Sequence, residues 1–431
     1  MAEADLKTEM AAAEELRLVK QARGRFVAMA GAYSLGCFND NFFKQAVIFL
    51  AIAAGQEQLG GAAAALFAVP YLLFSAPAGW LADRFPKRNV VIGTKLVEIV
   101  AALCGAAGVL TGSWVLMLAM VFLMGVVACM FSPSLNGSIP ELYPAGYVLK
   151  ANARLKVVTT MAILGGMMLA GYALAQKAPF WQGVTVGHWL VAAGVMAAAL
   201  TGSAASFGVA RRPAANPGLA FPWAGPWSTI KRLVLIHRDP ALAVILWTDA
   251  FIWALGALEL LLISALGTSE LGWSEAQAAN LMFVVMAGTA VGGGLSSLAA
   301  GRRWHRVLVP ALLVQAGMLL LLPWGLAALG TLGGLGKVPL YLLMLGLGIG
   351  GGLVLVPCES FIQVRPKPEE KGAVLSAGNF LVFCGIIVAG ALVYANGAYF
   401  HAAPSVVLWS AAWACAIVAL SLWFGLRKWL K

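Results

Sequence analysis

The sequence predicts an all-α membrane protein with twelve transmembrane helices arranged as two six-helix halves. Three observations lead to this prediction: the composition, the length of the apolar runs and an internal repeat. Of the 431 residues, 61% are hydrophobic and only 11% are charged, whereas a soluble domain is roughly half apolar and a quarter charged. The apolar runs are about 20 residues long, which is the length of a helix that crosses a bilayer.

Twelve apolar runs are separated by charged segments or by segments rich in glycine and proline. The predicted spans are 26–53, 61–82, 89–111, 114–135, 152–175, 187–210, 240–266, 277–300, 307–329, 338–358, 371–397 and 403–426. Of the 29 lysine and arginine residues, 25 lie in alternate connections on one side or in the first turns of the spans beside them (Arg154, Lys156 and Lys371), two lie in the other loops and two lie deeper within spans. Because these residues favour the cytoplasmic side, we expect both termini in the cytoplasm. This topology also explains the net charge of +11, so the charge does not indicate nucleic-acid binding.

The internal repeat and the longest inner connection divide the chain. Alignment of the two halves places Pro133 on Pro357, and it places Asp40 on Asp249 in the first span of each half. The predicted organisation is a cytosolic N-terminal segment, an N-terminal six-helix bundle, a cytosolic linker with an amphipathic stretch, and a C-terminal six-helix bundle with a short cytosolic tail. These regions cover residues 1–25, 26–210, 211–239 and 240–431.

Polar side chains inside the predicted spans mark the candidate site. A charge at the centre of a transmembrane helix costs about 2.5–3.5 kcal/mol, so such residues face a partner, a wet cavity or a polar substrate. A cation suits a phosphate group, whereas a carboxylate suits an ammonium group. The candidate substrate-binding residues lie on the first, third and seventh spans: Asp40, Asn41, Lys44, Lys95, Glu98, Asp249 and Glu259.

The spacing of these residues also allows a structural interpretation. Asp40 and Lys44 are four residues apart and Lys95 and Glu98 are three apart, so each pair could form an ion pair along one helix face. Asp249 and Glu259 have no such neighbour, and they could serve either in substrate binding or as proton-titrating groups.

The sequence gives no indication of a cofactor, a metal site or an enzyme. The four histidines are scattered, and the six cysteines lie in or beside apolar runs without a C-x-x-C pair. The glycine-rich stretch 346–352 lies within an apolar span with no strand before it, which is not the context of a nucleotide-binding loop.

The connection between the second and third spans carries a recognisable motif. Residues 79–88 read Gly-Trp-Leu-Ala-Asp-Arg-Phe-Pro-Lys-Arg, which is similar to the G-x-L-A-D-R-x-G-R-R signature of the major facilitator superfamily. The resemblance implies the major facilitator fold, with two pseudo-symmetric six-helix halves. It also implies a gating latch, in which Asp83 caps a neighbouring helix and pairs with basic residues. The expected latch residues are Gly79, Asp83, Arg84 and Arg88.

Segments 36–44, 131–142 and 149–152 together resemble the lysophospholipid transporter family of bacterial inner membranes. The resemblance implies import of lysophospholipids from the outer to the inner leaflet, where they are reacylated. Membrane lipids and a cytosolic acyltransferase are then the candidate partners. The chain departs from the family pattern at residues 154–156, which read Arg-Leu-Lys where an acidic residue is common, and at Glu259, where a basic residue stands in a family transporter.

We therefore expect an alternating-access transporter of lysophospholipids. A rival function with the same fold is proton-coupled export of amphipathic drugs or metabolites. Two further alternatives are an intramembrane lipid-modifying enzyme, for which the histidine pattern is missing, and a lipid sensor that binds lipid without moving it.

Overall fold

The computed structural model describes residues 2–56, 58–181, 183–299, 304–331 and 333–429, and these ranges are almost entirely helical. They contain α1 (Ala2–Ala53), α2 (Gln58–Arg84), α3 (Lys87–Thr111), α4 (Trp114–Leu142), α5 (Ala145–Leu174), α6 (Val186–Ser206), α7 (Pro226–Ile236), α8 (Pro240–Ala265), α9 (Glu275–Ser296), α10 (Leu308–Leu320), α11 (Leu322–Thr331), α12 (Lys337–Val364), α13 (Lys371–Ala395) and α14 (Pro404–Trp429). Single π-helical turns extend α8 and α13. Each of the twelve predicted spans corresponds to helical structure, and α7 covers the amphipathic part of the predicted linker.

Eleven segments of the described chain are long and apolar enough to cross a membrane. They are Ala62–Arg84, Lys87–Thr111, Trp114–Leu142, Ala145–Leu174, Val186–Ser206, Pro240–Glu270, Gln277–Ser296, Trp304–Thr331, Lys337–Val364, Pro368–Phe400 and Pro404–Gly425. The first predicted span lies within α1 but is not among them. Asn39, Asp40, Asn41 and Lys44 lower its mean hydropathy, so the candidate site itself makes this span the least apolar.

Several predicted helix ends were wrong by about two turns. The fifth helix begins at Ala145 rather than at residue 152, and the tenth span continues to Val364 rather than ending at residue 358. The ninth span is two helices, because α10 ends before Leu321 and α11 begins with Pro323 in its first turn, where proline is well tolerated. The two longer helices matter most, since the added turns carry charged side chains.

Local capping sets two of the helix starts. The side chain of Asp239 accepts a hydrogen bond from the Leu242 amide (3.3 Å) and caps α8, with Pro240 in the first turn. Burial alone would raise the pKa of Asp239, but hydrogen bonds from Arg365 and from the Leu242 amide hold that pKa below its usual value. Ser274 forms a reciprocal capping box with Gln277 at the start of α9.

Glycines let α9 and α12 approach closely. A Cβ on Gly292 would collide with the carbonyl oxygen of Ile349, and a Cβ on Gly348 would collide with that of Val285. Small residues at such positions are typical of tightly packed membrane helices.

The chain forms two compact units. Unit 1 comprises residues 1–148, 161–233 and 366–379, and unit 2 comprises residues 149–160, 234–365 and 380–431. The core of unit 1 is built around Phe43 and Met120, and that of unit 2 around Ile263 and Met344. Each candidate cluster described below lies within one unit.

Candidate functional site

The first cluster in unit 1 is a buried ion pair. Lys95 Nζ lies 2.6 Å from Glu98 Oε2, and the two side chains are 2% and 1% exposed. The other carboxylate oxygen of Glu98 accepts a hydrogen bond from Asn39 Nδ2 at 3.1 Å. Gly36 permits this contact, because a Cβ there would lie 2.8 Å from Lys95 Nζ. Of the two predicted pairs, the Lys95–Glu98 pair therefore forms, and the charges of its two members balance each other.

The neighbouring residues of α1 are arranged differently. No ion pair within 4.0 Å joins Asp40 to Lys44, although the structure describes both side chains. Lys44 Nζ instead lies 4.0 Å from the centroid of the Phe67 ring, a cation–π contact. Asn41 donates to the Cys37 carbonyl of its own helix at 2.8 Å. Asp40 lies within electrostatic range of Lys44 and of the first cluster.

Glu259 in unit 2 has an amide partner rather than a charged one. It is 2% exposed, and Gln315 on α10 donates to it at 3.4 Å. The Oε1 atom of Gln315 is buried without a hydrogen-bond partner. Glu259 is therefore a buried carboxylate that a single long hydrogen bond holds in place.

Asp249 belongs to a second charged group in unit 2. Its side chain is 7% exposed, and its Oδ1 atom has no hydrogen-bond partner. Its electrostatic neighbours are Glu359 on α12 and Lys156 on α5. Lys156 Nζ lies 4.7 Å from the Trp253 ring centroid on α8. Three helices of the unit thus bring two carboxylates and one ammonium together.

Sequence reasoning missed Lys156 and Glu359. Glu359 stands one residue beyond the predicted end of its span, and Lys156 was counted among the inner basic residues that set topology. The apolar residues that follow Glu359, such as Ile362, are the signal that could have extended its span. Lys156 already lay within the predicted span 152–175, and its position inside an apolar run is the signal that could have placed it among the candidate residues.

A polar contact ties the same two helices together. Asn152 on α5 is buried and donates to Ser360 Oγ (2.8 Å) and to Gln363 Oε1 (2.9 Å) on α12. Asn152 lies one turn before Lys156, and Ser360 directly follows Glu359. These hydrogen bonds therefore fix the helices from which the two charged side chains extend.

The 79–88 motif lies against the start of α13. Asp83 is fully buried and accepts hydrogen bonds from the Gly372 amide (2.7 Å) and the Ala373 amide (2.9 Å). First-turn amides have no partner within their own helix, so a carboxylate there is stabilising. Gly79 leaves space for this contact, since a Cβ there would collide with Ser376 Oγ and would lie 2.9 Å from Ala373 Cα. Asp83 thus makes a helix cap of the kind that the motif resemblance implies.

The two arginines of the motif bind elsewhere. Arg84 donates to the Leu219 carbonyl and Arg88 to the Phe207 carbonyl, both at 3.1 Å. Neither forms an ion pair with Asp83 within 4.0 Å, so the expected pairing of Asp83 with these residues is not observed. The Asn216 amide donates to the Asp83 carbonyl at 2.8 Å, which brings the linker directly onto the end of α2.

This helical architecture and its motif contacts define a class of membrane transporter. Residues 29–391 match the Major Facilitator Superfamily, and the chain belongs to that superfamily.

Curated relatives align with this chain over most of their length. The lysophospholipid transporter LplT of Enterobacter sp. is 27% identical over 353 residues, which cover 79% of this chain and 80% of that protein. LplT of Cronobacter sakazakii is 28% identical over 371 residues, which cover 82% of each.

Solved structures of other transporters have a fold similar to that of this chain. The fucose:proton symporter FucP of E. coli aligns with a TM-score of 0.70 at 15% identity, over 93% of this chain and 98% of that one. The proton:xylose symporter XylE aligns with a TM-score of 0.68 at 13% identity, over 94% and 96%. At these identities the likeness concerns the fold alone.

Proposed function

We propose that this protein is an alternating-access transporter that moves lysophospholipids from the outer to the inner leaflet of a bacterial inner membrane. The observation that carries the proposal is the similarity to proteins named lysophospholipid transporter LplT, which spans 79% of this chain and 80% of the Enterobacter protein. Both termini then lie in the cytoplasm, and a cytosolic acyltransferase is the partner that would reacylate the imported lipid.

The substrate chemistry fits the buried charges. A lysophospholipid carries one acyl chain, a phosphate and often an amine, so its carrier needs fixed charges along an apolar path. The proposed substrate-binding residues are Asp40, Asn41, Lys44, Lys95, Glu98, Asp249 and Glu259. Among those in unit 1, Asp40 and Lys44 are not paired with each other, whereas Lys95 and Glu98 are. We therefore assign direct headgroup contact in unit 1 to Asp40 and Lys44.

The latch residues take a separate role. We propose that Gly79, Asp83, Arg84 and Arg88 control exchange between conformations and do not bind lipid. The side chain of Asp83 accepts from helix amides, and those of Arg84 and Arg88 donate to backbone carbonyls, which supports a structural role at this contact.

The proposal is tested by uptake of radiolabelled lysophosphatidylethanolamine into spheroplasts of a strain that lacks its own carrier. We expect uptake with the wild-type protein and none above background with Asp40→Asn, normalised to the amount of protein in the membrane. Asp239→Asn is the matched control, because it makes the same chemical change at a helix cap, where asparagine serves nearly as well as aspartate. The ion pair with Arg365 that it removes is largely exposed, and such pairs contribute little.

Two outcomes would count against the proposal. Absence of uptake by well-inserted wild-type protein would refute lysophospholipid import. Normal uptake by Asp40→Asn would refute the assignment of the site and leave the substrate assignment in place.

A further inference from the structure

The second charged group of unit 2, in which Asp249 is buried and Lys156 and Glu359 are half-buried, differs from the buried Lys95–Glu98 pair. We call Lys156, Asp249 and Glu359 the α8 cluster, after the helix at which they meet. It contains two carboxylates and one ammonium. No ion pair within 4.0 Å joins these three described side chains, and Lys156 Nζ instead lies over the ring of Trp253 at 4.7 Å.

The α8 cluster is also incompletely hydrogen-bonded. Asp249 is 7% exposed and its Oδ1 atom has no partner. A buried polar group without a partner costs free energy, and a buried charge costs more. In unit 1, by contrast, Lys95 and Glu98 form an ion pair, and Asn39 donates a hydrogen bond to the second oxygen of the Glu98 carboxylate. The α8 cluster therefore has one more acidic than basic side chain and, at Asp249 Oδ1, an acceptor that no described group fills.

We propose that the α8 cluster binds the ammonium group of a zwitterionic lysophospholipid headgroup. The proposal rests on the function proposed above and adds a headgroup preference. An ammonium has three hydrogen-bond donors and suits two neighbouring carboxylates, here those of Asp249 and Glu359, which lie within electrostatic range of each other. The Trp253 ring, which already holds a cation, provides a further favourable surface, and Lys156 supplies the positive charge that the headgroup phosphate needs.

The surrounding packing holds these groups in position. The hydrogen bonds from Asn152 to Ser360 and Gln363 tie α5 to α12 beside two of the charges. Gly293 brings α9 against Lys156, because a Cβ there would lie 3.2 Å from Lys156 Cγ. A binding site needs this kind of support, since charges that can drift recognise a ligand poorly.

The expected consequence is selectivity for an amine. Lysophosphatidylethanolamine carries the ammonium, whereas lysophosphatidylglycerol carries a phosphate without one. Loss of one charged hydrogen bond should lower uptake of the amine lipid about tenfold. Uptake of the glycerol lipid should change less than about twofold, because it never makes that bond.

The test measures uptake of both radiolabelled lipids in the same spheroplasts, for the wild type, Asp249→Asn and Glu359→Gln. Two variants are used so that poor insertion of one leaves the other informative. Glu270→Gln is the matched control, because Glu270 is an exposed carboxylate of unit 2 that binds Ser405 and lies outside the cluster. We expect the control to keep the wild-type ratio of the two uptake rates and both cluster variants to lose it.

The outcomes separate this inference from the proposed function. Equal loss of both lipids in the cluster variants, or an unchanged ratio, would overturn the ammonium site while the import function stands. If the wild-type protein takes up neither lipid, the import function itself fails. An altered ratio in both cluster variants, with the control unchanged, supports the site.

Discussion

Single buried charges in this protein differ in whether a neighbour balances them. Lys95 and Glu98 are almost fully buried and lie 2.6 Å apart, so each balances the charge of the other inside unit 1. The attraction within such a pair barely offsets the cost of desolvating both groups, whereas removal of one partner leaves an uncompensated charge. The pair should therefore act as a unit in stability measurements.

We expect Lys95→Met to destabilise the protein by about 3–5 kcal/mol, because Glu98 would stay buried without its counter-charge. Lys95→Met combined with Glu98→Gln should be much less destabilised, since the amide keeps an acceptor for Asn39. Thermal unfolding in detergent measures both. An exposed pair, Arg232 with Glu370 at 3.1 Å, is the control, and its loss should cost less than about 1 kcal/mol. Equal destabilisation by the single and double changes would show that the pair is not a unit.

The sequence could predict which residues are costly in lipid, but not which groups their side chains contact. Hydropathy and spacing identified Asp40, Lys44, Asp249 and Glu259 because a charge in an apolar run is conspicuous. The spacing of Asp40 and Lys44 permits an ion pair, yet Lys44 lies over Phe67, a ring on another helix that no local pattern could place beside it.

At the scale of helices, the end of α2 and the start of α13 form one contact. The Asp83 carboxylate caps the first turn of α13, and Gly79 lets the two helices touch. The motif predicted a helix cap but not the helix. The participation of the linker through Asn216 was also not predictable, because irregular segments carry no periodic pattern.

Gly79→Ala should slow transport with little change in apparent lipid affinity. The added Cβ would meet backbone atoms of Gly372 and Ala373, which cannot move aside by rotation, so the cap by Asp83 would be lost. We expect the maximal uptake rate to fall at least about fivefold, the effect of about 1 kcal/mol of lost capping. Gly93→Ala is the control, because a Cβ there meets nothing within 4 Å.

Asp83→Asn should reproduce the effect of Gly79→Ala, since an amide nitrogen cannot accept from a helix amide. A large loss of apparent affinity with an unchanged maximal rate in either variant would contradict the latch role. It would instead place the motif in substrate binding.

At the scale of the whole chain, the transmembrane spans were easier to predict from the sequence than the residues at which their helices begin and end. Eleven segments were apolar enough to be recognised as spans, and the twelfth was recognised despite its polar residues. The helix ends were less predictable, because hydropathy falls gradually where a helix leaves the bilayer. Glu359 lies in such an end turn, and Lys156 lies within its predicted span but was assigned to topology, which is why the α8 cluster emerged only from the structure.

Membrane orientation gives the last prediction, because the proposed direction of transport depends on it. With 25 of 29 lysine and arginine residues in or directly beside one set of connections, both termini and the linker should be cytoplasmic. A fluorescent-protein fusion at the C-terminus, which matures only in the cytoplasm, should fluoresce. Alkaline phosphatase, which is active only in the periplasm, should be active when inserted at Gly183 and inactive at Gly225. Phosphatase activity at Gly225 would reverse the orientation, and the proposed latch and linker would then face the compartment from which the lipid is taken.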